Sequence, residues 1–399
     1  EYIGRVLSIA LPVSIQMLLK MIVNFIDTVM IGKLGESAIA GVGLANKYFF
    51  VFVLLVFGVE SGSGVLASQY MGNNDIKNIR KVLGLGLLLS VVGGIIFATT
   101  AFIMPDRLMK IFTNSQDAIT IGAAYLGVVC ISYPFTAATD IYVAIMRAVG
   151  EVKVPVILIK LKNSPLICSL KDLNPFSRDL INQFFVTAFP VIINESLWGL
   201  GTTLYSVVYG RMGDAAIAAI TISTALQDLL VVSFQGIALA AVVILGNEMG
   251  ADNLKKAKVY GSYTWLLTII VSISVSILIV LLRVPFVRLY NVSDNLMSDI
   301  KLCLLVFAIF LPFKAVATVN LVGILRSGGD TLFCLFMDLS GVWLIGVPMA
   351  FIGGLYFKLP IYIVYGMVLS AEIYKTILGY IRYKQGKWLK NLAIELTAK

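Results

Sequence analysis

Long apolar stretches occupy most of this chain and restrict what it can fold into. Ten windows are each near or above the roughly 20 residues that a membrane-spanning helix needs. Of the 399 residues, 59% are hydrophobic and 13% are charged, whereas a soluble domain has about 45–50% apolar and about 25% charged residues. The pattern predicts an all-α polytopic membrane protein. The windows lie at about 6–31, 38–68, 82–104, 118–146, 181–209, 215–246, 259–282, 298–325, 331–357 and 359–383.

The chain also repeats itself with an offset of 178 residues. Pro12 in Ala-Leu-Pro-Val returns as Pro190 in Ala-Phe-Pro-Val, and Pro134-Phe135 returns as Pro312-Phe313. Because the first copy holds four spans, an even number, both copies begin on the same side of the membrane. We therefore expect two pseudo-symmetric lobes, parallel repeats related by an axis along the membrane normal, around a central cavity.

The repeat and the positions of the basic residues predict how the chain divides into lobes and which loops are cytoplasmic. We expect an N-terminal lobe of four spans in 1–150, a truncated fifth-helix stub and cytoplasmic linker in 151–179, and a C-terminal lobe of six spans with a basic tail in 180–399. Lys and Arg concentrate in loops that share one side if both termini are cytoplasmic. The net charge of +9 then reflects the orientation of the chain in the membrane, and we expect no nucleic-acid partner.

Several chemistries are disfavoured by composition. The chain has no histidine and four cysteines without a C-x-x-C pair, so catalytic Ser-His or Cys-His dyads and a cysteine metal site are not indicated. No G-x-x-x-x-G-K-[ST] loop for ATP is present. We expect a protein that is not an enzyme and has no cofactor.

A carboxylate and an amide in the first span are candidates for ion coupling. Asn24 and Asp27 are spaced i, i+3 and share a helix face. Their oxygens suit a transient Na⁺, and a desolvated carboxylate suits a proton carrier. Alternatively, Asp27 snorkels to the interface. Glu195 in the fifth span is a third candidate, for cation coupling or for attracting a cationic substrate. Alternatively, it forms a structural pair with a lysine of a neighbouring helix, for which Lys314 is the expected partner.

Charged and aromatic residues inside other spans are candidates for lining the cavity, since ionisable groups at membrane depth are expensive and aromatic faces attract cations. Glu60 is a further candidate, with packing of a satisfied carboxyl beside the glycines as an equal alternative. Lys20, Glu372 and Lys375 are interpreted instead as interfacial residues or members of inter-helix pairs. The cavity candidates are Lys314, Asp140, Asp228, Asp338, Tyr205 and Trp198.

Two motifs, one in each repeat, carry a family resemblance. Asn24-x-x-Asp27-Thr28 and Pro190-x-x-x-Asn194-Glu195-x-x-Trp198 resemble the multidrug and toxic compound extrusion (MATE) family. The turns Arg147-Ala148-x-Gly150-Glu151 and Arg326-Ser327-Gly328-Gly329-Asp330 are similar to its loops.

The resemblance implies twelve helices in two six-helix lobes. It also implies export of cationic or amphipathic organic compounds, driven by inward Na⁺ or H⁺ flow. The partners are then small organic cations and the lipid bilayer. We expect a monomer in the inner (plasma) membrane. A flippase for a lipid-linked precursor is the alternative, although it would favour a cationic cavity and the charges here are mostly acidic.

The first lobe departs from the family pattern. Residues 151–179 cannot hold two spans of roughly 20 residues each. Either the chain naturally has ten spans, or about 60 residues are missing from the sequence. In the family, the absent helices carry an Asn and an Asp that complete the cation site beside the residue matching Asp27.

Overall fold

The computed structural model describes the backbone of residues 2–32, 36–113, 115–151, 178–290 and 292–395. Within these ranges, the side chains of 23–32, 36–40, 214, 394 and 395 are not described. Ten of the described helical segments are long and apolar enough to cross a membrane, as the hydropathy predicts. Helices suit this setting because they satisfy every backbone N–H and C=O internally, where lipid offers no hydrogen bonds.

The first repeat forms four of these spans. Its fourth span contains a 3₁₀ turn, Cys130–Ser132, that leads into Tyr133 and Pro134 at the start of the next helix. The short helix α4 is amphipathic and begins with a proline, which needs no intrahelical N–H partner there. The helices are α1 (Tyr2–Gly32), α2 (Glu36–Gly72), α3 (Ile76–Ile103), α4 (Pro105–Phe112), α5 (Gln116–Val129) and α6 (Tyr133–Ala148).

The second repeat and the two spans after it contain three stretches of π-helix, Val319–Leu325, Gly341–Gly346 and Ile352–Tyr356. Such wider turns inside α-helices are frequent at functional sites. The helices are α7 (Arg178–Arg211), α8 (Asp214–Gly250), α9 (Leu254–Val287), α10 (Asp294–Thr318), α11 (Thr331–Ser340), α12 (Val347–Phe351), α13 (Ile361–Gln385) and α14 (Leu392–Glu395).

The helices group into two compact units. Unit 1 combines the start of α1, through Ser14, with Leu197–Ile394, and unit 2 includes the stretch from Ile15 to Ser196. The boundaries fall inside α1 and α7, at nearly matching positions of the two repeats. The predicted lobes divide instead within 151–179, where 152–177 lie outside the described residues, so the lobe boundaries stay a prediction.

In unit 1, the start of α1 is held by polar contacts to α8 and α9. The buried Tyr2 hydroxyl hydrogen-bonds Thr264. The Arg5 guanidinium lies 3.0 Å from the Glu248 carboxylate, which also pairs with Lys256 at 2.9 Å. This end of α1 is therefore fixed to helices of the second repeat.

In unit 2, glycines of α2 allow α7 to approach closely. A Cβ atom at Gly58 would lie 2.8 Å from the Cα of Ile192, and one at Gly62 would lie 2.7 Å from the Cβ of Ala188. The four-residue spacing of Gly58 and Gly62 is a small-xxx-small motif, which brings helix backbones together in membranes.

Candidate functional site

Asn24 and Asp27 lie in α1, but their side chains are outside the described residues. Because the backbone of α1 is helical at both positions, Asn24 and Asp27 lie on the same face of the helix. Their role in ion coupling stays a prediction, as does the transient Na⁺ site at Asp27.

Asp140 belongs to a group of charged side chains in unit 2. Its carboxylate pairs with the Lys20 ammonium at 3.1 Å, and 65% of the Lys20 side chain is exposed. Glu60 lies 3.8 Å from Arg147 and interacts electrostatically with both Asp140 and Lys20. Four charges from α1, α2 and α6 therefore balance one another. Lys20 forms the inter-helix pair that the sequence suggested, and a functional role of Glu60 stays a prediction.

Glu195 and Trp198 follow one another by one turn on α7. The Asn194 amide donates to the Glu195 carboxylate across 3.5 Å, with Asn194 buried and Glu195 half-buried. The Trp198 side chain is exposed. The unit boundary falls between these residues, and the predicted pairing of Glu195 with Lys314 of unit 1 stays a prediction.

Asp338 is part of a buried ionic triad in unit 1. Its carboxylate accepts a hydrogen bond from the Lys375 ammonium at 3.0 Å, and the Glu372 carboxylate accepts another at 3.0 Å. The side chain of Lys375 is only 7% exposed. The sequence suggested interfacial or inter-helix roles for Glu372 and Lys375. Lys375 pairs between helices with Asp338 of α11, whereas its contact with Glu372 lies within α13.

Glycines of the π-helical stretch Gly341–Gly346 make room for Lys375 of this triad and for Tyr205. A Cβ atom at Gly341 would lie 2.8 Å from Cγ of Lys375, and one at Gly346 would lie 2.1 Å from the Tyr205 hydroxyl oxygen. Tyr205 also interacts electrostatically with Asp338, Glu372 and Lys375. The candidates Tyr205 and Asp338 are thus neighbours in one polar region.

Asp228 and Lys314 lie on the packed helices α8 and α10 of the same unit. They interact electrostatically, yet no ion pair joins them. Asp228 is exposed, whereas Lys314 is half-buried with its ammonium 5.3 Å from the centre of the Phe307 ring. The charged groups that act on Lys314, besides Asp228, are Glu372 and Lys375.

Comparison with known proteins identifies the family. A sequence model described as MatE matches residues 12–166 and again 190–352. The chain belongs to the MatE family. The two matches begin 178 residues apart, at the offset of the internal repeat. Membership confirms the resemblance drawn from the motifs and makes the chain a multi-pass membrane protein of a transport family.

Relatives with assigned names share about a fifth of their residues with this chain. The "Probable multidrug resistance protein NorM" of Thermotoga maritima is 22% identical, aligned over 98% of this chain and 94% of its own length. The "Multidrug and toxin extrusion protein 1" of Danio rerio is 23% identical over 87% of this chain and 66% of its own length.

Solved structures share the fold. A multidrug resistance MATE family transporter of the MOP superfamily, in an outward-facing conformation, superposes with a TM-score of 0.87 at 17% identity and covers 96% of both chains. A MOP superfamily transporter from Pyrococcus furiosus, described as having a binding pocket of reverse polarity, reaches a TM-score of 0.85 at 16% identity. It covers 99% of this chain and 96% of its own.

The alignment with the Thermotoga maritima relative extends over 438 positions, whereas this chain has 399 residues. The relative therefore carries at least 39 residues without a counterpart here.

Proposed function

We propose that this protein is a secondary active exporter of cationic or amphipathic organic compounds, driven by inward flow of Na⁺ or H⁺. Membership of the MatE family supports transport, and the relatives named as multidrug resistance proteins support drug-like solutes. We place the protein in the inner (plasma) membrane as a monomer, with both termini cytoplasmic and no resident cofactor.

The main support for this proposal is that charged side chains are exposed within membrane-spanning helices. Asp228 is exposed in the middle of α8, and most of the Lys20 side chain is exposed on α1. A charged side chain at the centre of a bilayer costs at least about 2.5–3.5 kcal/mol when it faces lipid. These groups therefore face water or a polar solute, as expected along a transport path.

Acidic and aromatic side chains in these spans match a cationic solute. Asp228 supplies an exposed carboxylate, and Trp198 presents an exposed ring on α7. A ring face attracts a cation with about 0.5–2 kcal/mol, the larger value applying where water is excluded. We assign substrate contact to Asp228, Trp198 and Tyr205, and coupling to Asp27, Asn24 and Glu195.

The test is transport of the cationic dye rhodamine 123 by the purified full chain in liposomes. Dye movement is followed under an inward Na⁺ gradient, an inward H⁺ gradient, or neither. We expect one gradient to drive efflux of dye from preloaded liposomes and Asp27→Asn to abolish that driven component without lowering expression. Wild-type rates that do not respond to either gradient would contradict secondary active export. Unchanged driven efflux in Asp27→Asn would contradict the coupling role alone.

A further inference from the structure

The segment that follows α13, residues 386–391, folds back onto the helices of unit 1. Trp388 in this segment is fully buried. Its indole stacks on the Tyr383 ring with the ring centres 5.7 Å apart, and its Nε1 donates to the Tyr383 carbonyl at 3.3 Å. The Asn391 amide donates to the carbonyl of Gly250, at the end of α8, across 3.3 Å. The segment is therefore fixed against the unit by a buried ring and a hydrogen bond.

The turn 326–330, one of the two motifs that resemble the family's loops, receives this segment. A Cβ atom at Gly328 would lie 2.7 Å from the carbonyl carbon of Trp388, so only glycine leaves room for the backbone to pass. Asp330 of the same turn accepts two hydrogen bonds from the Arg382 guanidinium, at 2.6 and 2.8 Å. The turn therefore holds both the end of α13 and the chain beyond it.

Tyr383 joins the end of α13 to the start of α9. The hydroxyl groups of Tyr383 and Ser262 lie 2.8 Å apart, and the Tyr383 hydroxyl donates to the Lys258 carbonyl at 3.0 Å. Deeper in the span, the ring of Trp265 meets that of Tyr380 edge-on, with the ring centres 5.4 Å apart. These contacts place the last turns of α13 beside the first turns of α9.

Four lysines are exposed around this junction, two in the first turns of α9 and two at or just beyond the last turn of α13. None of them forms an ion pair with a residue that the structure describes. Their ammonium groups are therefore available to an anionic partner outside the chain. This lysine cluster consists of Lys255, Lys258, Lys384 and Lys387.

Two of the acidic groups near the lysine cluster are engaged by other residues. Glu248 pairs with Arg5 at 3.0 Å and with Lys256 at 2.9 Å. Asp330 is bonded to α13, whereas Asp252 in the turn between α8 and α9 is exposed. The positive charge of the cluster therefore exceeds that of the exposed carboxylate beside it.

The same two helices expose apolar side chains deeper in their spans. Leu266 of α9 is exposed about two turns from Lys258, which is roughly 12 Å along the helix. Ile377 of α13 is likewise exposed about two turns from Lys384. Between these levels, the Lys384 ammonium lies 5.4 Å from the centre of the Tyr380 ring. Ammonium groups at the end of a span above apolar side chains suit a molecule with an anionic head and an apolar tail.

We propose that the lysine cluster binds the headgroup of an anionic phospholipid, whose acyl chains lie along α9 and α13. Each lysine near an anionic membrane surface strengthens binding by about fivefold. Trp388 is a positioning residue, because its burial holds the neighbouring Lys387 beside the lysines of α9. This lipid site involves none of the residues assigned to coupling or substrate contact, so it is independent of the proposed export.

Native mass spectrometry of the purified full chain in a neutral detergent tests the lipid site. Dioleoyl phosphatidylglycerol is anionic, whereas dioleoyl phosphatidylcholine has the same acyl chains and no net charge. Titration with each lipid gives the Kd of the first lipid bound. We expect phosphatidylglycerol to bind wild type at least about tenfold more tightly. Glycerophosphoglycerol, its headgroup without acyl chains, is expected to bind far more weakly, since it buries no apolar surface.

Charge-neutralising variants locate the site. Lys255→Gln combined with Lys258→Gln is expected to raise the Kd of phosphatidylglycerol about tenfold or more and to leave that of phosphatidylcholine unchanged. Neutralising the other two lysines of the cluster should have the same effect. The matched control combines Arg288→Gln with Lys358→Gln, which removes two exposed basic residues from the opposite ends of α9 and α13. We expect it to change neither Kd by more than about twofold.

Variants of Trp388 separate the arrangement of the lysines from their number. Trp388→Ala keeps all four charges but removes the buried ring, so the Kd of phosphatidylglycerol should rise by about fivefold, the contribution of one lysine. Trp388→Phe keeps a ring to stack on Tyr383 and should retain the wild-type Kd. If Trp388→Ala does not fold, Trp388→Phe and the lysine variants still test the site.

Three results would overturn the lipid site. The first is equal affinity of wild type for the two lipids, and the second is an equal loss of affinity in the cluster variants and in the control. The third is binding of glycerophosphoglycerol as tight as that of phosphatidylglycerol, which would indicate a site for a soluble phosphate compound. Because the assay measures no transport, none of these results bears on the exporter proposal.

Discussion

Replacing Lys375 with methionine tests the ionic triad most directly. Lys375 is buried at 7% exposure and donates to two carboxylates, each at 3.0 Å. Methionine is similar in length and uncharged, so Lys375→Met removes the shared partner of Asp338 and Glu372 and leaves both acids in a buried setting. Removing one partner of a buried ion pair costs about 3–5 kcal/mol, because the remaining charge is uncompensated. We expect a loss of at least that size here.

The free energy of unfolding is measured by titrating detergent-solubilised protein from mild micelles into SDS. Lys255→Met, an exposed lysine in the same unit, is the matched control and should change stability by less than about 0.5 kcal/mol.

A triple variant distinguishes the loss of the ion pairs from the cost of leaving two buried carboxylates without a cation. Lys375→Met combined with Asp338→Asn and Glu372→Gln removes all three charges, and we expect it to recover more than half of the lost stability. A loss below about 1 kcal/mol in Lys375→Met, or no recovery in the triple variant, would refute the view that Lys375 stabilises the fold by neutralising these acids.

Two further predictions concern helix contacts in the two units. Gly62→Leu should destabilise the protein by about 1–3 kcal/mol or more through overpacking against Ala188. Gly64→Leu should not, because a Cβ atom added at Gly64 meets no atom within 4 Å. Equal SDS titration curves for both variants would contradict the close approach of α2 and α7. Glu248→Gln removes the anion that holds Arg5, so amide hydrogen exchange in residues 2–14 should accelerate while exchange in 178–190 stays unchanged. Slow exchange in both segments would show that the ion pair is not what fixes the start of α1.

The class of fold follows from local sequence. Each span needs only about 20 apolar residues in a row, so hydropathy predicted all ten spans that the structure describes, from the first one at Tyr2 to the last one ending at Gln385. The repeat register, anchored at Pro12 and Pro190, reappears as the two matches to the family. These features depend on the order of residues along the chain and not on how the helices cross.

Only the tertiary structure decided which charges meet. Lys20 and Asp140 are 120 residues apart, and Lys375 and Asp338 are 37 apart, so no local pattern selects either pair. Nor does the sequence show that Asp228 and Lys314 stay unpaired. A charge inside an apolar span is costly wherever it occurs, which made these residues visible as candidates. Whether such a charge is neutralised or left open to a solute depends on helix packing, which brings distant residues within hydrogen-bonding reach.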